Sequence, residues 1–273
     1  MTKKVFIDGA EGTTGLQVYD RLKNRIDIEI VNIEDNRRKD LKTRLDLMTK
    51  VDLTIQCLPD SAALEINSLL KNEKVRLIDS SSAHRVHPDF VYGFQEMTES
   101  QKDKIFEASF VSNPGCYPTA AIIALYPLIK NGLIDTKNII IDAKSGYSGA
   151  GREKIESELG EKISNNFIPY NFFKHRHNPE ITQELAKVSK EKIDITFSPH
   201  ILPLFRGILE TIYVRKTSGV PDETIEEAFQ KSYSSEEFIN FEKSKYTEIK
   251  DVINTNNVFI SYHHDDSNRL VIT

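Results

Sequence analysis

The sequence has only two cysteines, Cys57 and Cys116, among 273 residues, and their surroundings are unlike. No disulfide framework can be built from such a pair, which suits a reducing compartment, and the cytoplasm is the expected location. Positive charge is not in excess. A formal net charge of -5 gives no global attraction for nucleic acid or anionic membranes, so any basic residue must act locally. Long apolar runs are missing too: no stretch approaches the roughly 18 apolar residues of a membrane span. The opening "MTKKVFIDG" reaches Asp8 soon after Lys4, so neither export nor membrane insertion is expected. There are no internal repeats and no low-complexity linker. A chain that is 39% hydrophobic and 28% charged at this length suits one large or two ordinary soluble domains with real cores.

The first part alternates short β-rich runs with helical patterns, the pattern of an α/β fold whose parallel sheet is flanked by helices. Strands are expected at Lys4–Ile7, Ile28–Ile33, Leu53–Cys57 and Leu77–Asp79, with another closing at Val111. Helical stretches lie between them, at "GLQVYDRLKN", from Arg38 to Thr49, and at "SAALEINSLLKN". The run "YPTAAIIALYPLIKNG" has proline in its first turn and Gly132 as a stop, and reads as a buried helix. From Asn138 the runs lengthen: "NIIIDAKSG", "GILETIYVRK" and "NVFISYHHDD" read as strands of a mixed, largely antiparallel sheet. Two domains are therefore expected, residues 1–115 and residues 116–273, and "NRLVIT" reads as a final strand.

"VFIDGAEGTTG" places Gly9, Gly12 and Gly15 directly after a strand and before a helix. In that context glycines let backbone N–H groups approach a pyrophosphate at the positive helix end, although three glycines can also simply make a tight turn. Thr13 and Thr14 belong to the same candidate dinucleotide site. The second strand runs into "IEDNRRKD", where Arg37 and Arg38 favour a 2′-phosphate and hence NADP(H) over NAD, against the alternative of a solvated charge run. "CLPD" follows the third strand at the carboxyl edge of the sheet, placing Cys57, Leu58 and Pro59 beside the cofactor, with Cys57 as a small packed residue.

Cys116 lies in "SNPGCYPTA" at a helix start, where unpaired N–H groups stabilise a thiolate and can hold an oxyanion formed at an attacked carbonyl. The competing reading is a buried, inert cysteine. "FKHRHNPEI" supplies His175, His177 and Glu180 for proton transfer. The same histidines could instead ligate a metal with His200 or Glu180, but no third ligand stands at a recognisable spacing and no metal is expected. In "DSSSAHRV", Arg85 is the candidate for gripping a substrate carboxylate or phosphate. "SGYSGAGR" offers Ser145, Gly146 and Arg152 as further substrate contacts, with phosphate accepted by its backbone; Arg85 and Arg152 could equally be surface ion-pair partners. A hydride-carrying nucleotide, an activated thiolate and a histidine together describe one reaction type: a thioester forms on cysteine, and hydride passes between its carbon and the nicotinamide.

With those residues in hand, the chain resembles the N-acetyl-gamma-glutamyl-phosphate reductase family, most closely its shorter form. The similarity is carried by "FIDGAEGTTGLQ", "CLPD", "DSSSAHRVHPDFVYGFQE", "SNPGCYPTA", "SGYSGAGR" and "HRHNPEI", in the family's order from Phe6 to Ile181. The resemblance implies a Rossmann-like NADP-binding domain and an α+β catalytic domain that also mediates homodimer or homotetramer formation. It implies NADPH-dependent reduction of N-acetyl-L-glutamyl 5-phosphate to the semialdehyde, in arginine biosynthesis, with Cys116 as the acyl carrier. His175 is the preferred acid/base, with His177 and Glu180 in the site and Arg85 near the substrate. Aspartate-semialdehyde dehydrogenase and aminoadipyl-phosphate reductase use the same chemistry, and the HxHxPE spacing favours the first family over aspartate-semialdehyde dehydrogenase. A nucleotide-binding homologue without turnover is the alternative from another class. Family members continue beyond "NRLVIT" with a further terminal segment, so the expectation is a truncated chain with impaired activity.

Overall fold

A computed structural model of the chain describes residues 2–70, 73–150, 160–163 and 165–273. The described residues fall into two compact units, one ending at Pro114 and the other starting at Gly115.

The first unit is built on six parallel strands: β1 (Lys3–Asp8), β2 (Ile28–Val31), β3 (Leu53–Gln56), β4 (Leu77–Asp79), β5 (Val91–Tyr92) and β6 (Phe110–Ser112). Their order is β2-β1-β3-β4-β6-β5, and every pairing is parallel. Consecutive burial of Val5, Phe6, Ile7 and Asp8 marks β1 as a strand covered on both faces, which is what a parallel sheet requires. Four helices cover it: α1 (Thr13–Leu22), α2 (Leu41–Lys50), α3 (Asp60–Ser68) and α4 (Glu99–Glu107). Asp40 starts α2 by accepting the Thr43 N–H at 3.1 Å, and Thr98 starts α4 by accepting the Gln101 N–H at 3.0 Å. Phe6, Met48, Ile66, Leu70, Val75 and Leu77 form the core that holds β1 and β4 against α2 and α3.

The second unit opens with α5 (Cys116–Lys130), whose buried residues run almost unbroken from Tyr117 to Ile129. A helix apolar on every side must be central, and α5 packs against α6 (His177–Ala186), α7 (Asp222–Tyr233) and the sheet strand β10 (Ile208–Arg215). It ends where Gly132 turns left-handed at φ 67°. Besides β10 the sheet holds β7 (Ile139–Gly146), β8 (Ile168–Pro169), β9 (Ile195–Leu202), β13 (Tyr262–His264) and β14 (Arg269–Ile272), in the order β13-β14-β10-β7-β9-β8. Only β7 and β9 run parallel; the other pairings are antiparallel. The expected mixed, largely antiparallel sheet is thus present, with one departure. The run "NVFISYHHDD" is not one strand: it divides at Ser261 into β12 (Val258–Ile260), which pairs with β11 (Ile239–Phe241) in a separate two-stranded sheet, and β13. Ser261 falls on the β13 side, extending its ladder with β14 by exchanging both backbone hydrogen bonds with Thr273 at 2.9 Å.

Candidate active site

The glycine turn follows β1 directly. Gly9 has φ 88°, and a Cβ there would lie 2.5 Å from the Cys57 carbonyl oxygen; at Gly15 a Cβ would lie 2.1 Å from the Gly9 carbonyl. Both positions demand glycine for the turn itself. Gly12 is different, since a Cβ there meets nothing of the chain closer than 3.5 Å, so its openness serves whatever approaches from outside. Gly12 is also the N-cap of α1 and offers no side chain to its first turn, which begins with Thr13 and Thr14. The Cys57 N–H donates to the Asp8 carbonyl at 2.7 Å, and Leu58 Cδ2 would stand 3.1 Å from a Gly9 Cβ, so the loop from Cys57 to Pro59 lies against the turn. Burial, together with the charges of Asp8 and Asp79, pushes the Cys57 thiol up, consistent with a packed residue.

Two arginines, Arg38 and Arg44, reach residues of this turn or of the strand before it. Arg37 is exposed. Arg38 pairs with Glu11 and, at 2.7 Å, with Asp35, while its buried Nε has no hydrogen-bond partner among the described residues. Arg44 was not signalled by any motif: from α2 its Nε and Nη2 donate to the two oxygens of buried Asp8 at 3.0 and 2.7 Å. A turn too tight for side chains, a helix start without a side-chain cap and an arginine with an unused donor fit a phosphorylated dinucleotide.

The loop after β4 hangs on a buried carboxylate. Asp79 accepts from the Ser81 N–H at 2.8 Å and from its hydroxyl at 2.7 Å, and its Oδ2 lies 2.6 Å from His84 Nδ1. His84 in turn stacks on Phe90 with ring centroids 4.2 Å apart. Arg85 is thereby directed to the sheet edge, where its Nε donates to the Asn113 carbonyl and its Nη2 to the Ser80 carbonyl, both at 3.0 Å. It ties together the loops after β4 and β6.

In the second unit Cys116 is exposed at the first position of α5. Its preceding residue is fixed by a carboxylate: buried Glu180 accepts the Gly115 N–H at 2.7 Å. Five rings pack beside it. Tyr117 makes edge contacts with His175, His177 and Phe197 at 5.9, 5.7 and 5.3 Å, and Tyr170 lies 5.4 Å from His175. Burial pushes both the Tyr117 and the Tyr170 phenols up, and the Cys116 charge adds a smaller push in the same direction, so both remain protonated donors. Burial, helped by the Arg176 charge, lowers His175 to about 4, so its ring is neutral at physiological pH. The His177 N–H donates to His175 Nδ1 at 3.1 Å, which places the ring proton on Nε2. His175, His177, Glu180 and Cys116 thus belong to one unit, and Tyr170 joins them without a motif to announce it. The His200 carbonyl on β9 accepts the Tyr117 hydroxyl at 3.1 Å, while the His200 ring lies against Phe167 and Phe172. Among the described residues no three His, Cys, Asp or Glu gather as a metal site.

Ser145 and Gly146 end β7. The backbone N–H groups of Gly146, Tyr147 and Ser148 donate to the carbonyls of Gly207, Leu204 and Phe205 at 2.8, 2.9 and 2.8 Å. Those donors are therefore engaged by the turn between β9 and β10. Arg152 lies outside the described residues. No helix among them is long and apolar enough to cross a membrane.

Residues 4–105 match the family described as semialdehyde dehydrogenase, NAD binding domain, and residues 116–273 match its dimerisation domain. N-acetyl-gamma-glutamyl-phosphate reductase from Brucella suis is 38% identical over 231 residues, covering 81% of this chain and 73% of the relative. N-acetyl-gamma-glutamyl-phosphate reductase 2 from Nostoc sp. is 39% identical over 251 residues, covering 86% and 76%. Similar solved structures include aspartate semialdehyde dehydrogenase from Francisella tularensis, with a TM-score of 0.75 and 14% identity over 100% of this chain and 93% of that one. The same enzyme with NADP from Candida albicans gives 0.72 and 13%, covering 100% and 93%. At such identities the structures speak for the fold.

Proposed function

Since the chain belongs to the semialdehyde dehydrogenase family, and within it to the N-acetyl-gamma-glutamyl-phosphate reductases, we propose that it reduces N-acetyl-L-glutamyl 5-phosphate to the 5-semialdehyde with NADPH, a step of arginine biosynthesis. The observation that carries the mechanism is Cys116 at the open start of α5, with Glu180 holding the residue before it. Cys116 Sγ attacks the acyl carbon; the S–C bond forms, the bond from that carbon to the phosphate oxygen breaks, and inorganic phosphate leaves with the electron pair. Neutral His175 presents Nε2–H to the acyl oxygen as charge develops on it, a role that His177 supports by occupying Nδ1. Gly9, Gly12, Thr13, Thr14 and Gly15 would hold the pyrophosphate of the dinucleotide, and Arg38 with Arg37 its 2′-phosphate. When bound, NADPH supplies hydride to the thioester carbon. Cys116 then departs from the reduced carbon as thiolate, releasing the aldehyde. Arg85, anchored on Ser80 and Asn113, and Arg152 are assigned to the substrate side. Residues 1–115 serve as the nucleotide domain and residues 116–273 as the catalytic domain, assembling with a second copy into a homodimer or homotetramer in the cytoplasm; no nucleic acid or membrane partner is proposed.

The test is phosphate-dependent reduction of NADP⁺ with N-acetyl-L-glutamate 5-semialdehyde, run beside aspartate semialdehyde and beside NAD⁺. Turnover with the first aldehyde and NADP⁺ is expected. Turnover only with aspartate semialdehyde, or nucleotide binding with no turnover on either, would contradict the assignment.

A further inference from the structure

Two arginine–carboxylate pairs flank the glycine turn, and they differ in the property that decides whether a ligand can open them. Asp8 is buried and Arg44 largely shielded, at 5% and 12% side-chain exposure, and two parallel hydrogen bonds join them. Removing either partner strands a charge out of water, so this pair stays closed. Arg38 is paired with carboxylates that stand in solvent, Glu11 at 71% and Asp35 at 89% exposure. Exposed pairs are weak because water screens both charges, so an anion of higher charge can take the guanidinium.

Glu11 also has a telling position. It lies inside the turn, between Gly9 and Gly12, while Arg38 lies past the end of the second strand, where the ribose of a dinucleotide is read. We propose that Glu11 is a specificity-determining residue: its carboxylate occupies Arg38 in the nucleotide-free chain and yields it to the 2′-phosphate of NADP, but not to the 2′-hydroxyl of NAD. A phosphate of about -1.5 to -2 charge with three acceptor oxygens outcompetes a carboxylate for the same fork. It can also offer an acceptor to Arg38 Nε, which has none among the described residues. A neutral hydroxyl has no such advantage, and the pair stays shut beside it. Preference for NADP is then the 2′-phosphate contact minus the cost of displacing Glu11. This inference rests on the nucleotide site assigned above.

Calorimetric titration of the full chain with NADP⁺ and NAD⁺ tests it. Arg38→Met should weaken NADP⁺ by about tenfold or more, the scale of a lost charged hydrogen bond, and leave NAD⁺ within about twofold. Glu11→Gln should tighten NADP⁺ about threefold, the scale of an exposed ion pair, with NAD⁺ unchanged. In the Arg38→Met background Glu11→Gln should have no effect on NADP⁺. Glu11→Gln that leaves NADP⁺ unchanged or weaker, tightens both nucleotides alike, or acts equally without Arg38 overturns the proposal. Binding of neither nucleotide by the unmodified chain would sink the nucleotide site itself, and the Glu11 role with it.

Discussion

At the candidate site, Glu180 and His175 each make a contact or hold a charge state that a single substitution can test. Glu180 accepts the Gly115 N–H in a place closed to water, so Glu180→Ala leaves a buried donor without this partner. The expected loss is about 1–3 kcal/mol of stability by denaturant unfolding, with a larger loss of turnover because Cys116 follows Gly115 directly; Glu180→Gln keeps an acceptor and should lose less of both. His175 yields a pH prediction. Its folded value of about 4 lies below the ordinary 6.5, so between those values the unfolded chain binds a proton that the folded chain refuses. Stability therefore falls as pH drops from about 6.5 towards 4, and His175→Gln should flatten that part of a chemical-denaturation pH series; an unchanged slope would remove the buried neutral ring from the account. Cys116, His175, His177 and Glu180 could be singled out because residue types at that spacing suit the proposed chemistry, and the structure places all four in one unit. Tyr170 and Arg44 could not be: Arg44 meets Asp8 from 36 positions away, and only the packing of α2 against β1 joins them.

At the scale of elements, the turn between β1 and α1 separates two uses of glycine. Gly15→Ala would force a Cβ to 2.1 Å from the Gly9 carbonyl, and should lower the thermal midpoint and abolish nucleotide binding together. Gly12→Ala meets no atom of the chain closer than 3.5 Å and should keep the midpoint while weakening NADP⁺, because the methyl group occupies approach space. A fall in both for Gly12→Ala would show that this glycine serves the turn rather than the ligand. Short β-rich runs disclosed β1, β3 and β4, alternation disclosed β7 and β10, and a proline and a glycine stop disclosed α5. Such patterns could not disclose the division at Ser261, since an alternating run looks the same whether its partners lie in one sheet or two. Nor could they show that the N–H groups of Gly146, Tyr147 and Ser148 are engaged by the turn after β9, because hydrogen bonds to distant carbonyls leave no trace in local composition.

For the molecule as a whole, strand–helix alternation followed by longer strands gave the two architectures, and the family matches over residues 4–105 and 116–273 agree with them. The lateral order of the strands, β2-β1-β3-β4-β6-β5 and β13-β14-β10-β7-β9-β8, comes from long-range pairing that no local pattern specifies. The proposed division of labour, with nucleotide held by one unit and the acyl group carried by the other, reduces to one claim, that a covalent thioester forms on Cys116. Acid-quenched mass spectrometry tests it directly, after incubating the full chain with N-acetyl-L-glutamate 5-semialdehyde and NADP⁺ in phosphate-free buffer. The account predicts an N-acetylglutamyl group on the peptide bearing Cys116, formed as NADP⁺ is reduced and removed when phosphate is added. Reduction of NADP⁺ with no acylation of Cys116, or with the acyl group on another residue, would contradict it.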